Sequence, residues 1–155
     1  IDGRLRPIRY RTWRDDKQKE ASAAFDWATL QVTQAAGSEP LAAGTLDPVT
    51  VFYQYGIAGA AALPAEVRVA NGRRIKLLKI SLLGREKLRL PSGESVATRR
   101  LRAIEDDGET TELWLAERYA GYPLQISHTD RDGASYRQIA TSIRLEPHAL
   151  AQPPR

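Results

Sequence analysis

The chain offers few side chains suited to covalent or metal chemistry. It has two histidines and no cysteine, so disulfides, thiolate metal sites and cysteine nucleophiles are excluded. His128 lies in a strand-like run near a turn and His148 lies beside the C-terminal tail, and neither has neighbours at metal-ligand spacing. Asp130-Arg131-Asp132-Gly133 opens like a calcium loop, but the distal bidentate Glu such a loop requires is missing and Ala134 to Tyr136 begin a strand. A hairpin turn is the better reading there, as it is for Asp106-Asp107-Gly108. Glu112 and Glu117 flank Trp114. At that separation in an extended segment their carboxylates face opposite ways, whereas paired acid catalysis needs them convergent. No serine sits in a Gly-x-Ser-x-Gly elbow, and neither Gly-x-x-x-x-Gly-Lys nor Gly-x-Gly-x-x-Gly occurs. An enzyme would need a site assembled entirely by tertiary proximity.

Basic residues are the most conspicuous chemistry. Arg4, Arg6, Arg9, Arg11 and Arg14 crowd the first run, and Arg73, Arg74, Lys76, Lys79, Arg85, Lys87 and Arg89 line the middle of the chain. Rows of this kind beside Tyr10 and Trp13 could track a phosphate backbone. They equally suit the wet face of a sheet, where Lys and Arg discourage edge pairing. Acidic residues are interspersed and no nucleic-acid-binding signature is present, so nucleic acid is disfavoured as a partner.

The elements that must position these residues are mostly strands. Leu5–Arg14 alternates, Asp15–Glu20 is a charged connection, and Ala21–Gln34 reads as a second strand, with Phe25, Trp27, Thr29, Gln31 and Thr33 on one face. Ala35–Gly44 is loop-like. Asp47-Pro48 predicts a helix start, because Asp caps free N–H groups and Pro at the first helical position forfeits no needed donor. Val51, Phe52 and Tyr55 then recur at helical spacing, which predicts one helix over about 48–59.

Thereafter turns punctuate alternating runs. Glu66–Ala70 meets Arg73–Leu83 through Asn71-Gly72, a pair that tolerates the positive φ of a tight hairpin. Gly84 predicts a bulge before Arg85–Leu90. Ser95–Glu105, Glu109–Ala116, Pro123–Thr129 and Ala134–Leu145 follow, with Glu117–Tyr122 as the corner between the third-last and second-last strands. The fold class this implies is mainly β: a curved antiparallel sheet or partly open barrel built as a meander, with the single helix packed against it. One domain over residues 1–147 and a flexible tail over 148–155 complete the expected organisation.

Composition agrees with a globular domain. The chain has 155 residues, 42% hydrophobic and 27% charged, with 23 Lys and Arg against 19 Asp and Glu, a net +4. That excess permits an anionic partner without requiring one. No apolar run approaches the roughly 20 residues of a membrane-spanning helix. The chain starts at Ile1-Asp2-Gly3 with no initiating Met and enters a strand pattern at once. The expectation is that processing or truncation removed an N-terminal part.

Several segments together resemble one bacterial family, the domain of unknown function 3108. They are GRLRPIRYRTWR (Gly3 to Arg14), AAFDW (Ala23 to Trp27), GTLDPVTVFYQ (Gly44 to Gln54), LLGREKLRLPSGE (Leu82 to Glu94) and ELWLAERYAGYPLQI (Glu112 to Ile126), in this order. The resemblance implies an exported protein of the Gram-negative envelope, hence a periplasmic location. It also implies a fold similar to periplasmic lipoprotein carriers, and further strands ahead of Gly3. It brings no catalytic motif.

These readings converge on a non-catalytic binding module for an amphipathic or lipid-like ligand, a lipid or an envelope glycan, without metal or cofactor. Trp13, Trp27, Phe52, Tyr55, Trp114 and Tyr122 are the candidate lining residues, each also suited to core packing. The alternative is a structural or interaction domain that pairs with a protein partner, or with itself as a homo-oligomer, through an exposed sheet edge. A hydrolytic enzyme with a tertiary-assembled site stands third. A large apolar cavity would favour the first, a long unpaired edge the second, and a buried convergent polar cluster the third.

Overall fold

The computed structural model describes residues 4–13, 20–58 and 65–144. Four strands form one antiparallel sheet: β1 (Arg9–Thr12), β2 (Ala21–Asp26), β3 (Gln31–Gln34) and β4 (Gly37–Pro40). After helix α1 (Thr50–Ala58), six strands form a second: β5 (Glu66–Ala70), β6 (Ile75–Arg89), β7 (Ser95–Glu105), β8 (Thr110–Ala116), β9 (Pro123–Thr129) and β10 (Ser135–Ile139). In both sheets every strand pairs with its sequence neighbour, and neither closes into a barrel. Among the described residues the mainly-β meander with one helix is therefore what forms, divided into two sheets.

Two expected elements are corrected. Ala21–Gln34 is not one strand but the hairpin β2–β3. Asp26 breaks it: its Oδ1 accepts from the backbone N–H of Ala28 (2.9 Å) and Thr29 (3.0 Å), and Leu30 takes a positive φ of 54°. A side chain that hydrogen-bonds the backbone ahead of it competes with the ladder. The turn also resets the alternation, so Phe25 and Val32 share the buried face while Thr33 is exposed. The supposed loop Ala35–Gly44 contains β4, paired with β3 from Gln31↔Pro40 to Gln34↔Gly37. The first and last strands are shorter than their patterns, and the connection over 14–19, Gly59 and the tail from 145 lie outside the described residues.

The helix forms as its cap demands. Asp47 Oδ1 accepts from the N–H groups of Val49 (2.8 Å) and Thr50 (2.9 Å), and Pro48 lies in the entry turn just before the first helical turn. Val51 and Tyr55, four apart, are buried against β5–β8 residues Val67, Val69, Leu101, Leu113 and Leu115. Burial of Tyr55 pushes its phenol up to about 12.

The bulge expected at Gly84 is present, as a register shift between Leu82 and Gly84 where β6 meets β7. The corner after β8 closes with Ala116 N–H on Tyr122 C=O (2.9 Å). There Gly121 (φ 73°) lies so close to Gly56 of α1 that a Cβ on either would collide with the other's backbone. This mutual absence of side chains lets the helix sit on the corner.

The two sheets meet at the Asn71-Gly72 hairpin. Gly72 N–H donates to Gln34 Oε1 (2.9 Å), Ala35 N–H donates to Gly72 C=O (3.2 Å), and Ala70 and Ile75 pack with Phe25, Val32 and Leu41 of the smaller sheet.

Candidate functional site

The six aromatic candidates do not share one cavity. Trp13 is 69% exposed near the end of β1. Trp27 sits in the turn after β2, stacked at 6.4 Å on Phe25, with its indole N–H donating to Pro7 C=O (2.7 Å). Tyr55 and Phe52 line separate apolar cavities of about 50 and 60 Å³, far below the few hundred a drug-sized ligand needs. Tyr122 meets Tyr53 edge-to-face at 5.7 Å on the corner. Trp114 packs on the opposite face of the larger sheet, under the Arg100 guanidinium at 4.8 Å, and donates its indole N–H to Glu86.

On that face Glu112 accepts from Arg100 Nη2 (2.5 Å) and Arg102 Nε (2.9 Å). Burial raises the Glu112 pKa, and the two guanidinium bonds outweigh it, leaving the carboxyl below its ordinary range. Glu117 bonds instead to Arg85 at 2.8 Å. Glu112 and Glu117 thus hold different arginines and form no acid pair.

A cleft of about 780 Å³ lies between the two sheets. One wall is Tyr10, Thr12 and Ala21 from β1–β2, and the other is the Asn71–Lys76 hairpin. The floor holds Glu105, Asp107 and Glu109, which bracket the β7–β8 turn, and the far end holds His128, Arg131 and Tyr136 from the β9–β10 hairpin. Antiparallel register assembles it: Thr111 pairs with His128, and His128 with Tyr136, which brings these side chains to one face.

Lys76 organises the floor. Its Nζ contacts Glu105, Asp107 at 3.0 Å and Glu109 at 3.7 Å. Burial pulls the Lys76 pKa down, but the hydrogen bonds it donates to Glu105 and Asp107 prevail and raise it above the ordinary value. The same ammonium lowers Asp107. The three carboxylates come close enough together to resemble a divalent-cation site, but the lysine already supplies their cation. His128 Nδ1 is 3.0 Å from Thr111 Oγ1, its Nε2 is 3.9 Å from Glu109, and its ring lies 5.1 Å from that of Tyr136.

On the rim, Arg74 pairs with Asp106 (3.6 Å) and Asp107 (3.4 Å), while Arg73 and Arg131 have no acidic partner among the described residues. Counted over its lining, the cleft carries one positive charge in excess. Reasoning from sequence considered Asp107 only as a turn residue and His128 only as isolated, and it passed over Glu105, Glu109, Arg131 and Tyr136. The available signal was the i, i+2, i+4 spacing of Glu105, Asp107 and Glu109, which keeps carboxylates on one side of a hairpin end.

Among the described residues no helix is long and apolar enough to cross a membrane. Neither a curated protein nor a solved structure matches the chain. A family model described as "protein of unknown function (DUF3108)" matches residues 1–140. That is most of the 155 residues, and the chain therefore belongs to the DUF3108 family.

Proposed function

We propose that this chain is a non-catalytic binding module of the cell envelope, and that its ligand is amphipathic, with an anionic hydroxyl-rich headgroup. The site we assign is the cleft between the sheets. The observation that carries this reading is the pairing of two rings, Tyr10 on one wall and Tyr136 at the far end, with rim cations Arg73 and Arg131 that lack acidic partners among the described residues. A planar ring face takes the apolar side of a sugar or glycerol unit, and a guanidinium takes a carboxylate or phosphate in bidentate fashion. The filled interior supports a ligand held at the cleft rather than swallowed by the core, because the two cavities near α1 hold only about 50 and 60 Å³.

The electrostatics favour binding over catalysis. A general acid or base works best with a pKa near the working pH. The floor does the reverse: Lys76 is raised and Asp107 lowered, so both stay charged at neutral pH.

The test is NMR titration of the ring signals of His128 and Tyr136 with two probes. One is dihexanoyl phosphatidylglycerol below its micelle concentration and the other is a glucuronate disaccharide. Saturable shifts with the lipid alone assign a lipid headgroup, and shifts with the sugar alone assign a glycan. Arg73→Glu with Arg131→Glu should weaken either by about tenfold. No shift with either probe at millimolar concentration, or binding unaffected by the double charge reversal, would overturn the proposal.

A further inference from the structure

The two edges of the larger sheet differ. β10 closes one side and β5 the other, but β5 covers only part of β6. Pairing runs from Ala70↔Ile75 to Glu66↔Lys79, and the last contact is Ile80 N–H on Ala65 C=O (2.7 Å). Beyond it, β6 continues to Arg89, bonded to β7 along its inner side. Among the described residues no strand lies on the outer side of Ser81–Arg89. Among the described residues the outward backbone N–H and C=O groups of this stretch have no ladder partners. Leu82 (53% exposed) and Leu83 (42% exposed) stand at its start.

The register gives this edge two chemically distinct faces. Arg85 pairs with Arg99, and Arg99 with Leu115, so Arg85, Lys87 and Arg89 lie on the side of the sheet that carries α1. On the other side Glu86 is held by the Trp114 indole, and Leu88 packs with Leu90, Val96 and Ala116. Arg85 is bound to Glu117, whereas Lys87, Arg89 and Arg99 have no acidic partner among the described residues. A strand added to this edge would meet cations on one face and, on the other, Leu88 beside a Glu86 already bonded to Trp114, alternating with the period of the pleat.

That pattern chooses the occupant. Two copies of this chain joined antiparallel through β6 would set Arg85, Lys87 and Arg89 of one against the same residues of the other on one face. Like charges placed directly across a ladder are destabilising. An extended segment of opposite charge meets no such penalty. We propose that the Ser81–Arg89 edge of β6 is a docking site for an extended peptide segment of a partner protein whose side chains alternate acidic and apolar. The segment adds as an outer strand, with its carboxylates over Arg85, Lys87 and Arg89. Backbone bonds supply affinity and the cationic face supplies selection. This site is independent of the cleft.

The experiment is amide hydrogen exchange of the intact chain by NMR, with and without a capped peptide of alternating Glu and Val matched in length to Ser81–Arg89. A peptide of alternating Lys and Val is the control. The Glu–Val peptide should slow exchange of alternate amides within Ser81–Arg89 by about tenfold or more, leaving the other edge strand β10 unchanged. Lys87→Glu with Arg89→Glu, both on exposed side chains, should weaken this by about tenfold while circular dichroism stays constant. Equal protection by the Lys–Val peptide would overturn the proposal, as would no protection by either. So would outward amides already protected in the chain alone, whether at every concentration (cover by its own residues) or only at high concentration (a second copy).

Discussion

Lys76 is where a single side chain decides the character of the cleft. Its ammonium is the cation at the centre of Glu105, Asp107 and Glu109, so removing it leaves three carboxylates facing one another. Lys76→Met is expected to cost about 2 kcal/mol at pH 7, between the values for exposed and buried ion pairs. The pH dependence should change sign. In the native chain the Asp107 pKa is lowered, so its contribution is present above the ordinary carboxylate value of about 3.9 and is lost as pH falls through the lowered value. The raised Lys76 pKa adds stability that is lost only as pH rises through that value, far into the alkaline range. In Lys76→Met the crowded carboxylates should bind protons more readily folded than unfolded, and the variant should gain stability as pH drops from 7 toward 5. Urea midpoints across that range check both slopes. Thr45 makes the opposite case: its hydroxyl is fully buried with no hydrogen-bond partner among the described residues. Thr45→Val keeps the shape and removes the orphaned polar atom, and should raise stability by about 1 kcal/mol.

Between elements, the approach of α1 to the β8–β9 corner depends on two glycines. Gly121→Ala adds both the strain of a positive φ and a collision with the Gly56 backbone, and should cost about 3 kcal/mol. Gly133→Ala has a similar positive φ but open space around its Cβ position, so only the strain remains, about 1 kcal/mol. Chemical denaturation of the two variants side by side separates packing from backbone strain. The corner itself was legible from Glu117–Tyr122, because a charged and aromatic break before Tyr-Pro between alternating runs marks a turn. The β2–β3 turn was not legible. Asp26-Trp27-Ala28-Thr29 contains neither Gly nor Pro, and Trp and Thr favour strands. The two backbone N–H bonds that the Asp26 carboxylate accepts overrode that propensity.

Across the molecule the two sheets are joined through Gly72, Gln34 and a small apolar cluster around Phe25. Gln34→Leu would leave the Gly72 N–H buried and unpaired, at a cost of about 2 kcal/mol. The loss should fall on the joint. In a Trp13→Phe background the remaining tryptophans, excited selectively over the tyrosines, are Trp27 in the smaller sheet's cluster and Trp114 in the larger sheet. Thermal melts of that protein carrying Trp27→Phe or Trp114→Phe should coincide with Gln34 present. With Gln34→Leu the Trp27 signal should melt several degrees below the Trp114 signal.

The mainly-β class, the hairpins at Asn71-Gly72, Asp106-Asp107-Gly108 and Asp130–Gly133, the capped helix after Asp47, the bulge at Gly84 and the absence of cysteine chemistry were all legible in the order of the residues. Each of these is local: a turn or cap is specified by a few adjacent residues and the φ angles they tolerate. The division into two sheets, the dispersal of the six aromatic candidates, the cleft and the length of β6 that no described strand covers came from the tertiary structure. Those depend on which distant strands pair and in what register. One residue of slip in β8 would turn Thr111 away from His128 and move Leu113 out of the core. Lys76 reaches Glu105 only because β6 and β7 run antiparallel in the register that also buries Leu78, Leu101 and Ala103. The position of the charged cluster is thus a consequence of apolar burial summed over the whole sheet, which no short segment of sequence contains.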